Sequence, residues 1–195
     1  MELFYGAKNY QQLKELTVKF LKGELKETNS HYGPICEETY LIRSLLIIIN
    51  ELGCVTSSSQ PGLIEEDYHQ RAYVTMLIAK KKYDIFKKRI EKKMGKVHVK
   101  ILSEDLIDDE ILAEDIPDYW QRNRYWVSAS FLSDEYFEGH THLGITEGVN
   151  CYSFQDIDIY QELNANYYQI EVVDLNWGQK DLLFREIIKV LLDIK

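Results

Sequence analysis

The chain has 195 residues, with 23 basic and 32 acidic side chains and a formal net charge of −9. Its 45% hydrophobic and 28% charged residues exclude an intrinsically disordered protein, and its length favours one domain whose core needs no disulfide or metal. The longest aliphatic run, at residues 45–49, is far shorter than the roughly 20 residues of a membrane-spanning helix. We therefore expect no membrane anchor.

Cysteine usage and the N-terminal sequence indicate the cellular compartment. Cys36, Cys54 and Cys151 form no CxxC pair, which is typical of thiols that stay reduced. The first residues, MELFYGAKNYQQLKEL, lack the basic start and the apolar stretch of a secretory signal. We expect a cytoplasmic protein.

Apolar periodicity and turn residues predict the elements along the chain. Helices are predicted between residues 8 and 25, over 37–52, over 81–94, near 154–163 and over 180–194. Strands are predicted over 54–56, 72–79, 96–102, 126–132 and 167–173, with a loop at 57–62 because of its serine, proline and glycine content. The pattern predicts a single α+β domain over residues 1–195, with mixed β-sheets surrounded by about five helices.

Charge is unevenly distributed. Residues 80–100 carry ten basic and two acidic side chains, a net charge of 10 − 2 = +8 that leaves −17 for the rest of the chain. Apolar residues recur at helical spacing in this window, so its lysines suit the outer face of an amphipathic helix, although a phosphate-binding patch is the alternative. Residues 104–118 contain eight carboxylates and no base. The negative net charge argues against nucleic-acid binding.

Motifs for catalysis and for metal binding are not found. No GxGxxG fingerprint or Walker A sequence occurs. His140 and His142 suit one side of a strand, with Glu138 and Glu147 nearby, but no clear third ligand completes a metal site. We assign no catalytic residue, no metal and no catalytic cofactor.

Three segments carry a family resemblance. Residues 37–62 read EETYLIRSLLIIINELGCVTSSSQPG, residues 68–78 read YHQRAYVTMLI, and residues 164–192 read NANYYQIEVVDLNWGQKDLLFREIIKVLL. Together with the opening FYGAKNY, they resemble the C-terminal regulatory domain of eukaryotic methylenetetrahydrofolate reductase. In that family a Glu-Thr opens a helix, a Thr-x-x-Ser-Gln-Pro loop follows it, and a Gln-(Lys/Arg)-Ala-Tyr strand comes next.

The resemblance implies a ligand and the residues that contact it. The family's domain is not catalytic; it binds S-adenosylmethionine or S-adenosylhomocysteine and inhibits a separate flavin-containing barrel. Matched motif by motif, the ligand-binding residues are Glu38, Thr39, Thr56, Ser59, Ser128 and Thr141. Without the resemblance, the first pair suits an ordinary helix start and the residues around Ser59 an ordinary turn.

The chain also departs from the family. We expect its 195 residues to be used by this domain, so the flavin site and folate chemistry of the barrel are not inherited. Ser128 replaces the family's usual threonine, and the connection from Pro61 to Gln70 is shorter than the family's glycine-rich insertion.

Three functions remain in view. The first is a stand-alone module that binds S-adenosylmethionine, S-adenosylhomocysteine or a related nucleotide, as a sensor or a sequestering protein. The second is an interaction protein that keeps the fold without the pocket and docks on a separate protein through its basic or acidic helix. The third is an enzyme that cleaves or modifies a sulfonium nucleotide with Glu38, His140 or His142 as base. The resemblance also implies a homodimer.

Overall fold

A computed structural model describes residues 6–27, 34–65, 68–101 and 158–194 of the chain. Within these ranges the helices are α1 (Tyr10–Leu21), α2 (Glu37–Tyr40), α3 (Arg43–Glu51), α4 (Lys80–Met94), α5 (Tyr160–Asn166) and α6 (Leu182–Asp193). The strands are β1 (Val55–Gln60), β2 (Leu63–Glu65), β3 (Tyr68–Ala79), β4 (Val97–Ile101) and β5 (Tyr167–Trp177).

The strands form one sheet in the order β1-β3-β5-β4, and β2 pairs with the beginning of β3 as a hairpin. The predicted α+β class is confirmed. Every strand pairing in the described ranges is antiparallel, so the sheet there is not of the mixed kind that we predicted.

Two apolar clusters hold helices against the sheet. On one face, Val74 and Met76 of β3 lie in a cluster with buried residues of α3, α4 and α6. On the other face, Leu77 of β3 lies in a second cluster with residues of α1 and α5. Neighbouring residues of β3 enter different clusters because successive side chains of a strand point to opposite faces.

The second predicted helix is divided. Residues 37–52 form α2 and α3 with a break at Leu41 and Ile42, where Ile42 has φ −116° and ψ 0°. Ile42 is completely buried, whereas Leu41 is 63% exposed. The division raises the helix count from the predicted five or so to six in the described ranges.

The predicted loop at residues 57–62 is wrong over most of its length. Ser57 to Gln60 continue β1, whose backbone pairs with β3. Serine favours loops because its hydroxyl competes for backbone hydrogen bonds, but here two serine hydroxyls are satisfied across the sheet, Ser57 by Gln169 and Ser58 by Tyr73.

Strand β2 was not predicted, and α5 begins at Tyr160 where a helix was predicted near 154–163. The remaining elements agree with the sequence patterns to within about four residues, and β5 continues four residues beyond the predicted 167–173. The predicted strand at 126–132 and the acidic segment 104–118 lie outside the described residues. None of the helices in the described ranges has the length and apolarity needed to cross a bilayer.

Candidate functional site

A β-bulge brings two of the predicted ligand residues to one face of the sheet. Thr56 pairs with Met76 and Ser59 with Val74, with a register shift at Ser57. Residues three apart in a regular strand lie on opposite faces, and the extra residue of a bulge cancels that alternation. The hydroxyls of Thr56 and Ser59 therefore share the face covered by α3 and α6.

The hydroxyl of Thr56 is held by the end of α3. The buried Asn50 donates from Nδ2 to Thr56 Oγ1 at 2.9 Å and to the Leu46 carbonyl oxygen at 2.8 Å. In return, the Thr56 N–H donates to Asn50 Oδ1 at 3.1 Å. These bonds fix the position of Thr56 relative to α3 and leave the hydroxyl proton available as a donor.

The Thr56→Val variant is expected to fold with a small loss of stability. Valine has nearly the same shape, and Asn50 keeps its bonds to the Leu46 carbonyl and to the Thr56 backbone. Loss of one hydrogen bond lowers the free energy of unfolding by about 1 kcal/mol. Urea denaturation measures this change. A loss of unfolding free energy above about 3 kcal/mol would contradict this prediction and show that the fold depends on the hydroxyl.

Glu38 and Thr39 lie in the short helix α2, close to β1. Glu38 is exposed and Thr39 is half-buried. The Thr39 N–H donates to the Cys36 carbonyl oxygen at 3.0 Å. The Glu38 carboxylate is thus available to a ligand at the surface of the domain.

A groove of about 430 Å³ lies beside these residues. Its lining residues are Leu41, Ile42, Pro61, Leu63, Ile64, Lys180 and Asp181. None of the predicted ligand residues is among them, but the two sets are close in the chain. Leu41 follows Glu38 by three positions, directly after α2, and Pro61 follows Ser59 by two positions, directly after β1.

Gln70 holds the proline edge of the groove in place. This buried side chain donates from Nε2 to the Pro61 carbonyl oxygen at 2.7 Å and accepts from Gln60 Nε2. Its backbone carbonyl accepts from the Gly178 N–H at 3.2 Å. Gln70 is the first residue of the Gln-Arg-Ala-Tyr motif, and here it supports the end of β1 and Pro61.

The far wall of the groove comes from the end of the chain. Lys180 forms an antiparallel bridge with Gly62, whose N–H donates to the Lys180 carbonyl oxygen at 3.0 Å. Lys180 has φ +43°, an uncommon left-handed conformation for a residue with a side chain. Sequence reasoning missed Lys180 and Asp181 because no motif joins them to residues 41–64.

A buried polar cluster lies at the same end of β3 and β5. The guanidinium of Arg71 stacks on Trp177 at 3.8 Å, and its Nε donates to the Leu175 carbonyl oxygen at 3.2 Å. Asp174 Oδ1 accepts from the Asn176 N–H and side-chain amide, both at 2.9 Å. Asp174 Oδ2 is buried without a hydrogen-bond partner in the part of the chain described.

Two aspartates are expected to change stability with pH in opposite directions. Burial raises the pKa of Asp174, against the Asn176 hydrogen bonds and the Arg71 charge. The hydrogen bonds from Arg185 lower the pKa of Asp181. Stability linked to a raised carboxyl pKa is present at low pH and is lost as pH rises through the folded-state value; a lowered pKa has the reverse effect.

Denaturation of wild type and the single variants between about pH 2 and pH 8 measures this contrast, because the stability linked to Asp181 is lost only as pH falls through its lowered pKa. As pH falls, wild type should gain stability relative to Asp174→Asn and lose stability relative to Asp181→Asn. Parallel pH profiles for the two variants would contradict the assignment.

The remaining predicted residues lie outside the described ranges. These are Ser128, Thr141, His140 and His142. In residues 6–27, 34–65, 68–101 and 158–194, no three His, Cys, Asp or Glu side chains come together as a metal site. Cys54 is buried, which raises the pKa of its thiol to about 12 and makes it an unreactive core residue.

A known protein family matches the part of the chain that contains α2 and β1. Residues 2–111 match the family described as "Domain of unknown function (DUF6919)", which is more than half of the chain. The chain belongs to the DUF6919 family. No curated protein matches the chain.

The DUF6919 match includes one wall of the groove. Glu38, Thr39, Thr56 and Ser59 all fall inside it, together with the groove residues from Leu41 to Ile64. Lys180 and Asp181 lie beyond its last matched residue. The groove therefore joins the DUF6919 segment to the C-terminal part of the chain.

Proposed function

We propose that this DUF6919 chain is a binding module for S-adenosylmethionine or S-adenosylhomocysteine, acting as a sensor or a sequestering protein. The observation that carries the proposal is the groove between the α2–α3 break and Pro61. Two of its lining residues, Leu41 and Pro61, follow Glu38 and Ser59 by three and two positions in the chain, and the resemblance to the reductase regulatory domain implies Glu38 and Ser59 as ligand contacts. Its volume of about 430 Å³ falls within the usual size of small-molecule sites.

The chemistry of the region suits an adenosyl amino acid. Leu41, Leu63 and Ile64 supply apolar surface for a planar base, and the exposed Glu38 carboxylate attracts an ammonium or sulfonium charge. The hydroxyls of Thr56 and Ser59 donate to and accept from ribose or carboxylate oxygens.

Isothermal titration calorimetry with both ligands tests the proposal. Wild type should bind at least one of them, and Glu38→Ala, Thr56→Val and Ser59→Ala should each weaken the affinity several-fold. Ser58→Ala is the matched control, because Ser58 is adjacent to Ser59 in the chain but its hydroxyl bonds Tyr73 on the opposite face of the sheet. Absence of heat with either ligand at high micromolar concentration would remove the proposal.

A second candidate is an interaction protein, and the outer face of α4 favours it. Lys81, Ile85, Lys88 and Lys92 form one stripe at helical spacing, and Ile85 is 52% exposed. By contrast, Arg89 and Lys93 lie beside Asp193, at 3.7 Å and 3.8 Å. A basic stripe around an apolar residue suits an acidic protein partner with an apolar contact.

Charge reversal tests this second candidate. The double variant Lys81→Glu/Lys88→Glu should lose a co-purifying protein that wild type releases as salt is raised, because exposed charge pairs are screened within about 10 Å at 0.1 M ionic strength. The control is Lys22→Glu/Lys26→Glu, two exposed lysines in the segment that follows α1. Equal loss in both double variants would indicate a general effect of net charge.

A further inference from the structure

Two charged residues line the groove, and they differ in how far other side chains already bind them. Asp181 Oδ2 accepts from Arg185 Nη2 at 2.7 Å and from Arg185 Nε at 3.0 Å, so its charge is balanced. The Lys180 side chain is exposed and, in the described part of the chain, makes no hydrogen bond or salt bridge; its charge makes only a minor contribution to the lowered pKa of Asp181, after the hydrogen bonds from Arg185. Lys180, Asp181 and Arg185 together leave one net positive charge at the groove.

Backbone contacts fix the position and the conformation of the Lys180 main chain. Gly62 approaches so closely that a Cβ there would lie 2.8 Å from the Gln179 backbone nitrogen and 3.2 Å from that of Lys180. With the Gly62–Lys180 bridge, this contact holds the +43° conformation of Lys180. The lysine stem is therefore anchored against the Pro61 edge of the groove.

Part of the groove lining is apolar and open to solvent. Leu41 is 63% exposed and Ile64 is 60% exposed, and both line the groove. Apolar walls with one available cation complement a molecule that has an apolar body and one anionic end.

We propose that Lys180 binds the carboxylate of the amino-acid part of the ligand. The assignment rests on the proposed function, since S-adenosylhomocysteine provides both the adenosyl body and a carboxylate. A lysine ammonium that pairs with a carboxylate forms a charge-assisted hydrogen bond, which is stronger than a neutral one. Lys180 thus selects ligands that retain the amino acid over those that carry only the nucleoside.

Ligand truncation combined with substitution tests this role by calorimetry. S-adenosylhomocysteine is compared with 5′-methylthioadenosine, which has the adenosyl thioether but lacks the amino-acid part. Lys180→Met should weaken S-adenosylhomocysteine about tenfold or more and change 5′-methylthioadenosine less than about twofold. Lys180→Arg, which keeps the charge, should retain most of the affinity for S-adenosylhomocysteine.

The outcomes separate this assignment from the proposed function. Equal weakening of both ligands by Lys180→Met, or weakening of neither, would overturn the role of Lys180 while ligand binding by wild type stands. Binding of neither ligand by wild type would overturn the proposed function and this assignment together. Circular dichroism of Lys180→Met establishes that the variant is folded.

Discussion

Replacement of Arg71 by leucine is expected to lower the free energy of unfolding by about 3–5 kcal/mol. Arg71 is completely buried, stacks on Trp177 and donates to the Leu175 carbonyl oxygen. Its charge also opposes the raised pKa of the buried Asp174 carboxyl. Leucine removes these contacts and also the favourable charge that Arg71 presents to the buried Asp174 carboxyl. Urea denaturation at neutral pH measures the loss.

The double variant Arg71→Leu/Asp174→Asn is the control for the electrostatic part of this effect. The amide keeps an oxygen for the Asn176 hydrogen bonds and carries no charge. Removing the uncompensated carboxylate should recover part of the stability lost in Arg71→Leu. A double variant less stable than Arg71→Leu would show that packing against Trp177, rather than charge, dominates.

The Gly62→Ala variant is expected to lose about 1–3 kcal/mol of unfolding free energy and to weaken binding in the groove. An added Cβ would meet the backbone nitrogens of Gln179, Ala72 and Lys180 at 2.8–3.2 Å. All three neighbours are backbone atoms, so no side-chain rotation relieves the contact. The chain must shift at the Gly62–Lys180 bridge, which moves Lys180. Thermal unfolding and calorimetry with S-adenosylhomocysteine measure the two effects.

Gly6→Ala is the matched control for this substitution. A Cβ at Gly6 meets no atom within 4 Å, and its φ is not positive. We expect its free energy of unfolding to stay within about 0.5 kcal/mol of wild type. If Gly62→Ala were as stable as Gly6→Ala, the close approach of Gly62 to the backbone of Gln179 and Lys180 would not constrain the groove.

Sequence patterns predicted the elements whose conformation depends mainly on neighbouring residues. Helix α4 begins one residue before the predicted start and ends at Gly95, where φ is +70°, because its apolar spacing and its glycine stop are both read from neighbouring residues. The strand over Ser57 to Gln60 was missed because its stability is not local. Ser57 is satisfied by Gln169, which lies 112 positions away.

In the candidate site, too, features set by neighbouring residues were predicted and features set by distant residues were not. Sequence motifs identified the adjacent residues Glu38 and Thr39 and the spacing from Thr56 to Ser59. The bulge that places Thr56 and Ser59 on one face depends on pairing with β3, which those motifs do not indicate. Lys180 reaches the groove only through its bridge to Gly62. No periodicity in either segment indicates that contact.

A crystal structure of the protein grown with saturating S-adenosylhomocysteine tests the central proposal most directly. We predict electron density for the ligand in the groove between Leu41 and Pro61, with its carboxylate beside Lys180 and its polar atoms reaching Ser59 or Thr56. An empty groove at saturating ligand, or a ligand bound elsewhere on the domain, would contradict the account.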